Sequence, residues 1–207
     1  MTSNLLFDLA SKHGTDKLEH QYIKVYSEEL ELKNPISLLE IGIAKGASAL
    51  MWNEYFGSDA DLYFLDLFKD ADHVSPRWCR SLGFIPIEGS QADINVLAGI
   101  KKEFDYIIDD GSHLSAHMII SWKHLFVNNL QSGGKYFIED VHTCTGEFWW
   151  GEGVEKFEDT PLWMFKNFIE TGEISNKFFN EGEMEVYKSL IEDVKIFDDK
   201  LIMIKRK

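Results

Sequence analysis

The stretch from Ser37 to Ser48 constrains this chain more than any other. Leu38, Leu39 and Ile41 read as a buried strand, with the acidic Glu40 near its end. Gly42 and Gly46 then punctuate a turn, and an apolar, helix-compatible stretch runs from Ala49 to Phe56. A strand, a tight glycine turn and a helix form the corner at which parallel α/β sheets hold nucleotides. Gly42 supplies unrestricted φ for the turn, and Gly46 lets the helix begin close to a ligand. The glycine turn alone is generic, and the rest of the chain decides what it holds.

Apolar and amphipathic segments alternate beyond this corner, which predicts βαβ units. Strands are predicted at Ile36–Ile41, Asp61–Leu67, Phe84–Glu88, Phe104–Asp109 and Gly134–Glu139. Helices are predicted at Ser48–Phe56, Pro76–Leu82, Ile94–Ile100 and His117–Leu130. The end differs: Val194–Phe197 and Leu201–Lys205 flank Asp198, Asp199 and Lys200, the pattern of an antiparallel hairpin. Five parallel strands closed by a hairpin do not match a plain dinucleotide-binding dehydrogenase. They resemble the Rossmann-like α/β fold of class I S-adenosylmethionine (SAM) methyltransferases, a seven-stranded, mostly parallel sheet with an antiparallel insertion at its end. The 207 residues predict one domain, 1–207, with an N-terminal cap over 1–30 and an aromatic lid or insert over 141–188. Both segments are placed to cover the carboxyl edge of the sheet, where ligands sit in open α/β folds.

Lys and Arg number 21 against 35 Asp and Glu, a net charge of −14. Such a surface repels phosphate backbones and excludes nucleic acid as a partner. No run of about 18 apolar residues is present, so no membrane span is expected. Residues 1–30 are polar and charged, unlike a signal peptide, and Cys79 and Cys144 lack metal-type spacing. Reduced thiols and a cytoplasmic location are the expectation.

Asp66 ends the second strand, 26 positions after Glu40. A carboxylate there accepts hydrogen bonds from ribose hydroxyls, in NAD and SAM alike, or simply faces solvent. After the third strand, Gln91 and Asp93 offer polar groups to an adenine ring; equally, they form a turn in which Asp93 caps the next helix. Asp109 and Asp110 close the fourth strand, and Glu139 and Asp140 close the fifth. Neighbouring strands lie about 4.8 Å apart, so these carboxylates converge. Clustered carboxylates raise one another's pKa unless a cation compensates, and hard oxygen ligands suit Mg²⁺, Mn²⁺ or Ca²⁺ rather than zinc. Acidic strand ends that cap helices or face water are the plain alternative.

Five motifs now stand together. They are His13-Gly14-Thr15-Asp16-Lys17; Leu39-Glu40-Ile41-Gly42 with Gly46; Asp109-Asp110-Gly111-Ser112-His113; Gly133-Gly134 with Ile138-Glu139-Asp140; and the closing Ile196-Phe197 and Ile202-Met203-Ile204. With them the chain resembles, over nearly its whole length, the metal-dependent SAM sugar O-methyltransferases of macrolide biosynthesis. The Asp-Asp-Gly-Ser-His and Glu-Asp motifs are the specific ones. The resemblance implies SAM and Mg²⁺ (or Mn²⁺) as cofactors, with Asp110, Glu139 and Asp140 as metal ligands. Cofactor contacts fall to Thr15, Glu40, Gly42, Gly46, Ser48, Asp66, Gln91, Asp93 and Asp109. It also implies a homo-oligomer and a small-molecule acceptor: a glycoside, a nucleotide sugar or a surface-polysaccharide precursor. One departure is that Ala44 and Lys45 stand where the family often has glycine.

A cation that chelates two neighbouring oxygens lowers the pKa of the attacking hydroxyl, and a base then takes its proton. His113, three residues after Asp110, is the expected base by position and by resemblance. His142, two after Asp140, is its rival as base, substrate contact or orienter of a ligand. His13, His20 and His117 read as surface or capping residues. Trp149 and Trp150 either stack on a pyranose or pack the insert, and Trp163–Ile169 reads as core or interface. Two other functions share these features: methyl transfer to a catechol-like vicinal oxygen pair, and a non-catalytic SAM-binding interaction subunit. The presence of Asp110, His113, Glu139 and Asp140 speaks against the second.

Overall fold

The seven predicted strands all form, and their pairing follows the expected plan. In the computed structural model, which describes residues 2–32, 35–69 and 74–207, the strand order is β3-β2-β1-β4-β5-β7-β6. The strands are β1 (Ser37–Ile41), β2 (Asp61–Asp66), β3 (Ile85–Glu88), β4 (Phe104–Asp109), β5 (Leu130–Ile138), β6 (Ile191–Phe197) and β7 (Leu201–Arg206). The chain divides into two compact units, Met1–Gly89 and Ser90–Lys207.

In the first unit β1 pairs parallel with β2, and β2 parallel with β3. Every residue of β1 is buried, as in a parallel strand covered on both faces. Helix α3 (Ala47–Phe56) buries Ala49, Met51 and Trp52. The cap over 1–30 is built from α1 (Thr2–His13) and α2 (Tyr22–Glu29), which the sequence pattern does not announce as helices. Tyr26 of α2 meets Trp52 of α3 edge-on, with ring centroids 5.3 Å apart, which fastens the cap to the glycine-turn helix. Helix α4 (Pro76–Ser81) starts with proline in its first turn, and the Ser75 hydroxyl accepts from Trp78 N at 3.2 Å.

The second unit holds α5 (Ile94–Gly99), α6 (Ser115–Asn128), α7 (Pro161–Thr171) and α8 (Glu181–Leu190). Here β4 pairs parallel with β5, β5 antiparallel with β7, and β7 antiparallel with β6. β7 is therefore the reversed strand, inserted between β5 and β6. β5 begins at Leu130 rather than at the predicted Gly134, through a register irregularity opposite Phe104–Tyr106. Its polar, glycine-bearing start reads as a loop in the sequence. At Gly134 a Cβ would lie 2.8 Å from Gln131 O, so only glycine lets the strand enter so tightly.

Trp122 of α6 is fully buried and contacts Phe126, Phe165, Phe179 and Tyr187. Phe165 belongs to α7 and Tyr187 to α8, so these two side chains of the segment 141–188 join the core; within Trp163–Ile169, expected as core or interface, Met164 and Phe165 are buried and Ile169 is exposed. α7 begins with Thr160 as cap and Pro161 behind it, and α8 with a capping box between Asn180 and Glu183. Among the described residues, no helix is long and apolar enough to cross a membrane.

Candidate metal centre and glycine turn

In the first unit the turn after β1 is held from both sides. Gly42 N donates to Leu65 O at 2.8 Å, and Gly46 N to Ile43 O at 2.7 Å. Both glycines have positive φ, 89° and 81°. A Cβ on Gly46 would also strike the Trp78 ring at 2.7 Å. Ala44 adopts φ 41°, a left-handed conformation that glycine would take without strain. Asp66 closes the turn: its Oδ2 accepts from Ile43 N at 2.9 Å and its Oδ1 from Phe68 N at 2.6 Å. The carboxylate is half-buried, and each oxygen keeps further lone pairs for a ligand.

Glu40 stands differently. It is wholly buried; Lys17 Nζ lies 3.2 Å from its Oε1, and Ser48 Oγ donates to its Oε2 at 2.9 Å. The Lys17 of the His-Gly-Thr-Asp-Lys motif is thus the counter-charge of the acidic residue in β1. Thr15, two residues earlier, is buried, and its Oγ1 has no hydrogen-bond partner among the described residues. A buried hydroxyl without a partner is costly unless a ligand supplies one.

In the second unit, the ends of β4 and β5 present Asp110 and Asp140. Together with His113 they form a group whose ligand atoms all lie within 4.8 Å of one another, each side chain half-buried. His113 Nε2 is 3.7 Å from Asp140 Oδ2, and His142 Nδ1 is 3.8 Å from Asp140 Oδ1. His113 and Asp140 both have positive φ, 57° and 54°, rare for residues with a Cβ and concentrated at functional sites. Thr143 Oγ1 lies 2.8 Å from Asp140 O and 3.2 Å from His113 O, tying the two bends together. Glu139 is buried and outside this group; its backbone N donates to Asp109 O at 2.9 Å. The metal set expected from the sequence was Asp110, Glu139 and Asp140. The structure groups the first and last with the expected base, His113.

Gln91, Asp93 and Asp109 are occupied within the fold. Asp93 is exposed, and its Oδ1 accepts from Asn95 N at 2.9 Å, the helix-capping alternative. Gln91 Nε2 donates to Asp109 Oδ1 and Oδ2 at 2.9 and 3.1 Å, and Ser121 Oγ donates to Oδ2 at 2.5 Å. Burial pushes the Asp109 carboxyl up to about 6, against the donors Ser121 and Gln91, which favour its charged form. His117 is half-buried and shares a 2.8 Å hydrogen bond with Ser112 Oγ, and burial lowers its pKa. The pairing of Lys17 with Glu40 and the roles of Ser121 and Thr143 escaped the sequence reading, because no local spacing marks a side chain whose partner is distant in the chain.

Trp149 and Trp150 part company. Trp150 Nε1 donates to Cys144 O at 2.8 Å, and its carbonyl accepts from Ala116 N at 2.9 Å, so it is anchored in the fold. Trp149 meets the His113 ring edge-on at 6.3 Å, and Phe148, 83% exposed, meets Trp149 edge-on at 5.0 Å.

No family model matches the chain. It is 31% identical to mycinamicin VI 2''-O-methyltransferase of Micromonospora griseorubida over 183 residues, which is 80% of this chain and 43% of that protein. It is 32% identical to 8-demethyl-8-alpha-L-rhamnosyl tetracenomycin-C 2'-O-methyltransferase of Streptomyces olivaceus over 148 residues, 67% of this chain and 38% of that one. Demethylmacrocin O-methyltransferase of Streptomyces fradiae is 30% identical over 184 residues, 80% of this chain and 44% of its own length. The chain therefore spans about two fifths of the curated relatives it matches, 38–44% of their length. A solved structure of the methyltransferase MycE with Mg and SAH superposes with a TM-score of 0.78 at 24% identity, over 97% of this chain and 54% of that one. The chain is thus a relative of the antibiotic-sugar O-methyltransferases and carries the class I methyltransferase fold.

Proposed function

We propose that this chain is a SAM-dependent, divalent-metal-assisted O-methyltransferase unit that acts on a sugar hydroxyl of a small glycoside. The observation that carries the reading is the grouping of Asp110, His113 and Asp140 at the ends of two adjacent strands. The two carboxylates suit Mg²⁺ or Mn²⁺, and the imidazole beside them stands where a base is needed. Asp110 and Asp140 are the ligands that the geometry supports, and the resemblance adds Glu139. For the cofactor, the buried Thr15 hydroxyl and the half-buried Asp66 carboxylate fit a ligand with a carboxylate end and ribose hydroxyls. Gly42 and Gly46 give the turn its positive φ, while Glu40 and Ser48 support it from within.

When bound, the cation acidifies a chelated sugar hydroxyl and SAM supplies an electrophilic methyl group. His113 takes the hydroxyl proton at Nε2, the nitrogen on the Asp140 side, and Asp140 stabilises the imidazolium that results. Trp149, packed against that ring, limits its rotation. The faces of Trp149 and the exposed Phe148 offer a platform for the C–H face of a pyranose. His142 is the more exposed of the two histidines beside Asp140, and serves as a substrate contact or orienter. The net charge of −14 supports a small acceptor over nucleic acid, and the kinship supports a homo-oligomer, which light scattering tests.

Calorimetric titration of the chain with SAM, with and without Mg²⁺, tests the reading when repeated on Asp110→Asn. The expected result is SAM binding by both proteins and Mg²⁺ binding by the wild type alone. Absence of SAM binding under every condition would return the chain to an α/β fold without an assigned ligand.

A further inference from the structure

The loop that carries Asp110 and His113 is short, and its central side chains offer few anchors. Gly111 has none, and Ser112 spends its hydroxyl on His117. Besides the Thr143 contact to His113 O, its backbone is held by a buried polar pair beneath it. Ser112 N donates to Gln91 Oε1 at 2.8 Å, and Gln91 is in turn held by the Asp109 carboxylate. The pair is itself locked: Gln91 Nε2 bridges both Asp109 oxygens, and Ser121 Oγ and Tyr136 Oη donate to Oδ2. Gln91 is 6% exposed and Asp109 1%. A carboxylate and an amide this deep adopt one geometry, because any other leaves a buried polar atom without a partner.

We infer that Gln91 is a positioning residue for the candidate metal centre: held in place by Asp109, it clamps the backbone at Ser112 and so sets where Asp110 and His113 point. This role builds on the metal-assisted reading above, and it differs from the adenine contact expected of Gln91 from sequence. Gln91 donates twice to Asp109 and accepts once from the loop. One side chain thus connects the turn after β3 to the end of β4 and to the loop beyond it.

The test compares wild type with Gln91→Leu, which keeps the bulk and removes the side chain's hydrogen bonds to Asp109, Ser121 and Ser112. Ser121→Ala is the control, because it weakens the Asp109 network without removing the partner of the Ser112 amide. Hydrogen exchange at the Ser112 amide reports the clamp without any ligand, Mn²⁺ titration followed by electron paramagnetic resonance reports the site, and calorimetry with SAM reports the cofactor turn. Gln91→Leu is expected to lose Ser112 protection at least tenfold and Mn²⁺ affinity at least tenfold, with SAM affinity within twofold. Ser121→Ala should keep Mn²⁺ affinity within twofold. Should Gln91→Leu fail to fold, Gln91→Asn, one methylene shorter, makes the same comparison. The clamp is overturned by a Ser112 amide unprotected in the wild type. It is also overturned by unchanged Mn²⁺ affinity in the variant, or by a tenfold loss of SAM affinity with Mn²⁺ binding intact. Failure of the wild type to bind Mn²⁺ refutes the metal reading itself, and the exchange data still judge the clamp separately.

Discussion

Lys17→Met should unfold this chain far more readily than a surface lysine change would. Lys17 is 1% exposed and Glu40 0%, with Nζ 3.2 Å from Oε1. At that separation the attraction is about 5 kcal/mol for an effective dielectric of ~20. Desolvation of both charges offsets much of it, so the intact pair contributes little net stability. Removing one partner is another matter, because Glu40 then keeps its Ser48 hydrogen bond but loses its counter-charge. A single buried charge left behind costs about 3–5 kcal/mol, whereas an exposed pair would cost about 0–1. For a chain of this size that is a fall of roughly 6–20 °C in Tm. Urea unfolding followed by far-UV circular dichroism gives the free energy, and Glu40→Gln and the double variant complete a cycle. The double variant should recover about 2 kcal/mol or more over the sum of the single changes. Added salt should leave the Lys17→Met deficit nearly unchanged, since a buried pair is poorly screened. A Lys17→Met deficit below about 1 kcal/mol, or strict additivity in the cycle, would show that the two charges do not compensate each other in the fold.

Two further outcomes follow from single residues. Ala44→Gly should stabilise the chain by about 1 kcal/mol in the same urea assay. It relieves the left-handed φ of 41°, and the gain exceeds the extra chain entropy of glycine; a loss of stability would contradict that backbone geometry. Cys79 is fully buried, and burial pushes its thiol up to about 11, so its thiolate fraction stays small until pH rises towards that value. Native protein at pH 8 should therefore resist iodoacetamide at Cys79 for hours while urea-unfolded protein labels at once; rapid native labelling read by mass spectrometry would refute the burial.

Much of this fold was legible before any coordinates. Parallel strands buried on both faces write themselves as apolar runs. The glycine punctuation at Gly42 and Gly46 and the Asp198–Lys200 break announce a sharp turn and a hairpin, because both depend on residues close in sequence. Helices α1 and α2 were not legible, since their burial is decided by partners such as Trp52 that lie elsewhere in the chain. The entry to β5 was missed for a related reason: Gln131–Gly134 looks like a loop, and it is the irregular stretch between Leu130 and Lys135, the positions that pair with β4.

The site divides along the same line. The residue types at the ends of β4 and β5 announced acid-rich chemistry, and adjacency of two parallel strands was enough to bring Asp110 and Asp140 together. Which side chain joins them was decided by the positive φ at His113 and Asp140, a backbone property with no marker in these residue types. Gln91, Asp109 and Glu40 were legible as polar residues at strand ends, yet their partners Ser112, Ser121 and Lys17 were not. Sequence determined the order of elements and the supply of carboxylates, because those depend on local pattern. The tertiary structure alone decided which carboxylates are buried against partners in the fold and which stand half-buried at the strand ends, because a buried charge is defined by neighbours distant in the chain.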